Sequence, residues 1–391
     1  MRVRADTAGF AGDLPEGAGD AAEVRIIYLS ASAIPSRGAD SIHVVRMCEA
    51  FGKNGHETTL VGKQCGNGPI DDIYGYYGAQ RNFELDLIHC RPFKGVGILT
   101  LPKLYVRLRR YDPKEVLIYA RDIYGISLAV QMGFRVIYES HAAPYNSLVR
   151  HLETTLLKNP HLIQLVVISG ALKAMYMSRF AIGRKTVVCH DAATVPGPGD
   201  PGDLPWPPCR RTLQIGYTGH LYPGRGIEII VDCAKCLPQY DFHVVGGTEA
   251  DIAFWKGQAP GNLYFHGFLQ PAITHHARAR CDVLLMPYQK VLRNGHTAID
   301  TAPWMSPMKM FEYMASRKAI IASDLPVLRE VLDERKAVLL PPDDTERWVE
   351  AIRRCEDRRF RDSLAQNAYE AFLADYTWEK RAATVLSGVE V

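Results

Sequence analysis

The sequence predicts an α/β protein of two doubly wound domains facing each other across a cleft. Three observations carry this expectation. At 391 residues the chain exceeds the size at which one hydrophobic core stops growing. Short runs of Val, Ile and Leu alternate with longer stretches of helical period, the pattern of βα units and parallel sheets. The alternation halts once, at residues 195–208, where six prolines and three glycines exclude helix and strand alike, and then restarts.

Taken in order, residues 1–22 are rich in Gly and Ala and lack an apolar run, so they read as a flexible tail and not as a secretory signal. A first domain is expected over 23–194, with strands at 24–30, 57–61, 115–119, 134–139, 164–168 and 186–189. A linker at 195–210 follows. The second domain, 211–375, carries expected strands at 213–217, 241–245, 262–266, 282–286, 319–322 and 337–340. Two amphipathic helices close the chain, at about 359–374 and 378–387. The last belongs to a segment, 376–391, that either covers a sheet or crosses back to the first domain.

Composition excludes several classes. Apolar residues make up 47% and charged residues 23%, which suits a folded globular protein and not a disordered one. A formal charge of +3 gives no reason to expect nucleic acid as partner. The nine cysteines are scattered, as expected of reduced thiols in a cytosol, and Cys233 and Cys236 form a CxxC without the further ligands of a zinc site. With no stretch approaching a transmembrane span, the expected location is the cytoplasm or the inner face of a membrane.

Ligands of doubly wound sheets bind beyond the carboxyl ends of the strands, so the βα turns are where chemistry is expected. After the first strand of the second domain comes Gly219-His220-Leu221-Tyr222-Pro223-Gly224-Arg225-Gly226. A glycine-rich turn lets backbone N–H groups approach an anion, the following helix start adds partial positive charge, and Arg225 adds a full one. Close packing is the other reading of such a turn. A later junction, Ser306-Pro307-Met308-Lys309-Met310-Phe311-Glu312, opens a helix with a hydroxyl, a proline and a lysine, again suited to an anion. Glu312 lies within two turns of that start, where a carboxylate could bind a ribose diol while Lys309 holds a diphosphate. A plain N-cap at Ser306 and a solvated Glu312 are the alternatives.

These residues resemble the retaining glycosyltransferases of family 4 and their GT-B relatives. In the second half the resemblance rests on 216–226, 262–268, 281–288, 306–315 and 320–324; in the first half on 35–43, Tyr119 to Asp122, Tyr138 to His141 and 167–172. It implies two Rossmann-like domains and transfer of a sugar from a nucleotide diphosphate sugar to an acceptor hydroxyl, with retention. The donor contacts it implies are Gly219, His220, Gly224, Gly267, Phe268, Ser306, Pro307 and Met308. Glu312 matches the ribose-binding glutamate, and Arg225 and Lys309 serve the departing diphosphate, so that no metal and no cofactor beyond the donor is expected. His141, on a loop at the carboxyl end of the first sheet, would face the transferred sugar, or else be a structural histidine. Gly38, with Ala39, borders the acceptor side, where glycine permits close approach or simply turns the chain. Arg121 and Asp122 contact the acceptor or pair with each other.

Two positions depart from the family pattern. Trp304 stands where members commonly carry the first carboxylate of a Glu-x7-Glu pair, and His220 stands where many carry arginine. The acceptor expected is a sugar, a lipid-linked sugar or a small molecule. A nucleotide-sugar epimerase of the same fold and a non-catalytic sugar- or nucleotide-binding protein are the alternatives. An oxidoreductase is excluded because neither first βα turn carries GxGxxG. Finally, residues 103–114 place Lys103, Arg107, Arg109, Arg110 and Lys114 along a helix with apolar neighbours, a face that could rest on anionic lipid or stand in solvent.

Overall fold

A computed structural model describes residues 24–65, 72–90, 96–180, 182, 185–197, 204–207, 213–293 and 299–389. The expected tail at 1–22 and much of the linker lie outside these residues. The first half runs β1 (Arg25–Ala33), α1 (Ala39–Lys53), β2 (Thr58–Cys65), α2 (Ile73–Tyr77), β3 (Glu84–Cys90), α3 (Val96–Leu99), α4 (Leu101–Leu108), β4 (Val116–Ala120), α5 (Ile123–Gln131), β5 (Arg135–Ser140), α6 (Ser147–Leu157), β6 (Leu162–Val167), α7 (Gly170–Arg179) and β7 (Lys185–Val188). The second runs β8 (Gln214–Thr218), α8 (Ile227–Cys236), β9 (Asp241–Val245), α9 (Glu249–Lys256), β10 (Leu263–Gly267), α10 (Thr274–Ala279), β11 (Val283–Met286), α11 (Met308–Ala315), β12 (Ala319–Ser323), α12 (Pro326–Arg329), β13 (Val338–Leu340), α13 (Thr345–Arg354), α14 (Arg358–Asp375) and α15 (Trp378–Leu386).

The strands form two sheets, ordered β3-β2-β1-β4-β5-β6-β7 and β10-β9-β8-β11-β12-β13. All pairings between these strands are parallel, with β1 against β4 from Arg25↔Val116 to Leu29↔Ala120 and β8 against β11 at Ile215↔Val283. Helices cover both faces, so central strands are buried on both sides: β4, β8, β9 and β12 are buried at every position. Each sheet reverses its winding beside its first strand, between β1 and β4 and between β8 and β11. The loops after those strands therefore open into a crevice, and they carry most of the residues singled out above.

Each strand read from the sequence is present, and β3 is an addition. Its sequence alternates, Glu84-Leu85-Asp86-Leu87-Ile88-His89-Cys90, and it sits half-exposed at the sheet edge, so it lacks the continuous apolar run that marks its neighbours. The reduced-thiol expectation holds for Cys48, Cys189, Cys233, Cys236, Cys281 and Cys355, which are free, and fails at Cys90, which is disulfide-bonded.

The last helix settles a choice the sequence left open. Thr377 caps α15 by accepting from Lys380 N, and Trp378, Ala382 and Val385 are buried with Val44, Met47 and Ile137 of the first half. Gln164 of β6 donates to the Val385 carbonyl at 3.0 Å. Among the described residues no helix is long and apolar enough to cross a membrane.

Candidate active site

On the second half, three glycines shape the crevice. Gly219 (φ 142°) follows β8, and its N–H donates to Val245 O at 2.9 Å. A Cβ there would lie 2.9 Å from both Cε and Nζ of Lys309. Gly226 (φ 77°) caps α8 so close to β11 that a Cβ would fall 1.9 Å from Pro287 O. Gly246 (φ 117°) packs its Cα against the Gly219 carbonyl and donates to Gly267 O at 2.7 Å. The first two were singled out in the sequence. Gly246 was missed although its signal, Gly246-Gly247-Thr248 between a strand and a helix, was legible.

Lys309 enters this glycine-walled space from α11. It is buried, its Nζ stands 3.6 Å from the centre of the Tyr217 ring and 5.1 Å from that of Tyr288, and it has no hydrogen-bond partner. Arg225 also lies over Tyr288, 5.4 Å from its centre. Burial pushes the Lys309 ammonium well below its ordinary pKa, Arg225 pushes it further, and Glu312 partly offsets both. The Lys309 ammonium thus sits in a desolvated space beside a second cation, with no hydrogen-bond partner of its own. Tyr313 fixes the geometry one turn on: its hydroxyl accepts from Thr218 N at 2.9 Å and donates to Leu285 O at 3.3 Å, tying α11 to both strands of the switch point. Nothing in the sequence marked it.

Glu312 is half-exposed, 3.3 Å from Arg278 of α10, and lines a cavity of about 190 Å³ with Arg46, Gly78, His275, Arg278 and Met308. His220 stacks on Tyr222 and is held neutral by burial, with Arg225 and Lys309 adding to the effect. Gly224 (φ 87°) presses against Val291 O, and Gly267 (φ 75°) ends β10 with open space around its Cα. Phe268 receives the Arg37 guanidinium from the opposite half at 4.4 Å, so the crevice is bridged just beyond Gly38.

At the start of α11 Pro307 occupies the N-cap, with ψ of 121° and no side-chain cap, so the alternative of a plain N-cap at Ser306 does not hold. The Ser306 hydroxyl instead accepts from Asp191 N at 2.9 Å, fastening the two halves together because the preceding proline-bounded turn aims it there. Trp304 acts similarly, its carbonyl accepting from Ser169 Oγ at 2.9 Å while its ring packs on the first core. Met308 packs half-buried against the other core cluster of the first half.

On the first half, Gly38 is the N-cap of α1 with φ of −76°, a value open to any residue, and Ala39 is exposed at the helix start. Asp122 is buried, caps α5 by accepting from Tyr124 N at 3.1 Å, and is drawn toward Lys63, which accounts for it within the fold. Arg121 remains at the mouth of β4, its Nη1 buried without a hydrogen-bond partner, near enough to His141 to depress its pKa.

His141 belongs to a network no local motif revealed. Glu139, fully buried, accepts from His141 Nε2, from the Tyr119 hydroxyl and from Arg381 of α15, whose two terminal nitrogens lie 3.1 Å from its two oxygens. His43 of α1 stands between Glu139 Oε1 at 2.9 Å and Asp191 Oδ1 at 2.8 Å. Burial opposes the charge on Glu139, but Arg381, His43 and His141 together hold its carboxyl well below the usual range. Burial and then Arg121 lower His141 to about 4, so it is neutral near pH 7, with Nε2–H donated to Glu139 and Nδ1 left as an acceptor. His43, Glu139 and His141 bring potential metal-ligand atoms within 4.8 Å of one another. The Arg381 guanidinium bound to both carboxylate oxygens makes the group an ion-paired network, unsuited to a second cation.

Comparison with known proteins agrees with this architecture. Residues 225–387 match the family model described as glycosyl transferase-like. Over 119 residues the chain is 25% identical to TuaH of Bacillus subtilis strain 168, named as a candidate teichuronic acid biosynthesis glycosyltransferase; the match covers 30% of this chain and 28% of that protein. The sucrose-phosphate synthase of Thermosynechococcus elongatus superposes with a TM-score of 0.70 at 19% identity, over 92% of this chain and 96% of that one. Anabaena HepE, solved in complex with UDP and glucose, gives 0.67 at 17% identity, over 94% and 100%. The shared fold is the GT-B arrangement of two Rossmann-like units.

Proposed function

We propose that this chain, a GT-B protein whose residues 225–387 form a glycosyl transferase-like domain, transfers a sugar from a nucleoside diphosphate sugar to an acceptor hydroxyl. One observation carries the reading: the buried, unpartnered ammonium of Lys309 meets Arg225 against the Gly219 turn, with Glu312 three residues further along α11. A buried ammonium with no hydrogen-bond partner is costly in a desolvated space, and a diphosphate relieves that cost. Glu312 then reads the ribose diol, Gly267 and Phe268 border the base, and the donor sugar extends toward His141. The UDP and glucose held by HepE lend support to this choice of ligand.

In this reading the bond from the anomeric carbon to the diphosphate oxygen breaks, and Arg225, Lys309 and the α11 start take up the developing negative charge. The acceptor oxygen bonds to the same carbon from the same face, its proton passing to the departing phosphate oxygen, which retains configuration. Neutral His141 accepts a hydrogen bond from a sugar hydroxyl through Nδ1, and Arg121 lies on the acceptor side. The cationic pair supplies the charge compensation, so no metal enters the scheme.

The test is a thermal-shift panel of nucleoside diphosphate sugars on the full chain, followed by product analysis of any donor that binds. The reading expects at least one donor to raise the melting temperature and to release nucleoside diphosphate when acceptor is supplied. Failure of every donor to shift the melt would overturn it, and turnover of donor alone with an inverted sugar centre would make the protein an epimerase.

A further inference from the structure

Among the described residues, four of the twelve exposed large hydrophobic side chains fall between Ile98 and Val106. Leu99 is 66% exposed, Val106 57%, Ile98 46% and Tyr105 43%, while Leu104 and Leu108 anchor the opposite side of α4 in the core. Single exposed apolar residues are ordinary, but this density on one short stretch is not. The same stretch is basic. Residues 96–110 contain Lys103, Arg107, Arg109 and Arg110 and no Asp or Glu. Arg107 is committed to Asp86 at 2.8 Å; Lys103, whose Nζ donates to the His89 carbonyl at 3.0 Å, is exposed, as are Arg109 and Arg110.

We propose that the α3–α4 face docks on an anionic lipid bilayer, with Ile98, Leu99, Tyr105 and Val106 entering the headgroup layer and Lys103, Arg109 and Arg110 meeting its phosphates. Interleaved apolar and cationic side chains on one helix face are what an interface of that chemistry selects, since acyl boundary and phosphate lie a few ångströms apart. An acidic protein partner would satisfy the cations but not require four exposed apolar groups beside them.

The position of the face gives the docking a consequence. Leu104 Cδ2 would lie 3.3 Å from a Cβ on Gly125, so α4 rests on the start of α5. Tyr145, 59% exposed, meets Tyr124 of that same helix, and Leu148 nearby is 48% exposed. Tyr145 follows His141 by four residues, a reach of at most about 14 Å. The docked face thus adjoins α5, whose start meets the segment that follows His141. If the transferase reading holds, on which this last step rests, the acceptor is presented from among lipid headgroups.

Co-sedimentation of the full chain with vesicles of phosphatidylcholine, alone or mixed with phosphatidylglycerol, tests the docking. Binding is expected to the anionic vesicles, to weaken with salt, and to be slight on the neutral ones. The triple variant Lys103→Gln, Arg109→Gln, Arg110→Gln is expected to bind about a hundredfold more weakly, at about fivefold per cation. Leu99→Ser with Val106→Ser is expected to lose at least about tenfold, since both side chains leave the apolar layer. All these positions are exposed, so a urea midpoint equal to wild type serves as the folding control. Absence of sedimentation with anionic vesicles, or triple-variant binding equal to wild type, overturns the proposal. Vesicle binding without any nucleotide shift leaves the docking standing and removes the transferase reading instead.

Discussion

Replacing Lys309 with methionine is expected to move two measurements in opposite directions. In the ligand-free protein the ammonium is buried, has no hydrogen-bond partner and is repelled by Arg225. Methionine keeps the length of the side chain against Tyr217 and Tyr288, loses a cation–π contact worth about 1–2 kcal/mol, and removes a desolvation cost of several kcal/mol. The net expectation is a fold stabilised by about 1–2 kcal/mol, read as a raised urea midpoint at unchanged slope. Nucleotide binding moves the other way. A buried charge-assisted contact to a diphosphate contributes about 3 kcal/mol, so UDP should bind roughly 150-fold more weakly to the variant. At a UDP concentration of about one hundred times the wild-type Kd, ligand stabilisation should fall from about 2.7 kcal/mol to about 0.3 kcal/mol. Calorimetric titration and denaturant melts with and without UDP measure both quantities. A variant that keeps its UDP affinity, or that loses more than about 2 kcal/mol of stability, refutes the assignment of Lys309 as a cation held ready for a diphosphate.

Three further outcomes follow from the same structure. Gly226→Ala should cost about 3 kcal/mol or more, because φ of 77° and a Cβ 1.9 Å from Pro287 O combine backbone strain with a clash that a denaturant melt will register. Arg381→Met should cost about 3–5 kcal/mol by leaving the Glu139 carboxylate buried without its guanidinium partner. Its loss should be largely relieved in the double variant with Glu139→Gln, which a double-mutant cycle detects. Stability should also fall with acid. Burial lowers His141 to about 4 and, helped by the charge of His266, His243 to about 3, each from 6.5. With folded values depressed, their stabilisation is complete above pH 6.5 and is lost as pH falls toward 4 and 3, because the unfolded chain takes up protons the folded chain refuses. Between pH 7 and pH 5 the two account for roughly 4 kcal/mol. Equal urea midpoints at those two pH values would contradict it.

The contrast between legible and hidden features has a physical basis. Parallel strands buried on both faces announce themselves as apolar runs, so β1, β4 and β8 were readable, while β3, alternating at an edge, was not. Glycine turns and helix starts are local, which is why Gly219, Gly224, Arg225, Gly226 and Lys309 could be named from their neighbours, and the structure brings them to one crevice. Long-range pairing leaves no local trace. Arg381 reaches Glu139 across 242 positions, and Asp191 meets His43 across 148. The same blindness hid the partner of Ser306, whose place before a helix left a plain cap open as the alternative when its hydroxyl meets the Asp191 amide on the other half. Asp122 was ambiguous for the converse reason: a carboxylate after a strand caps a helix or faces a ligand with the same local sequence.

The measurement that bears most directly on the proposed function is a crystal structure of the full chain with a nucleoside diphosphate bound. The diphosphate is expected between the Gly219 turn and Lys309, with Arg225 on its second face and the ribose hydroxyls on Glu312. A nucleotide seated elsewhere, with Lys309 still packed unpartnered against Tyr217, would contradict the reading.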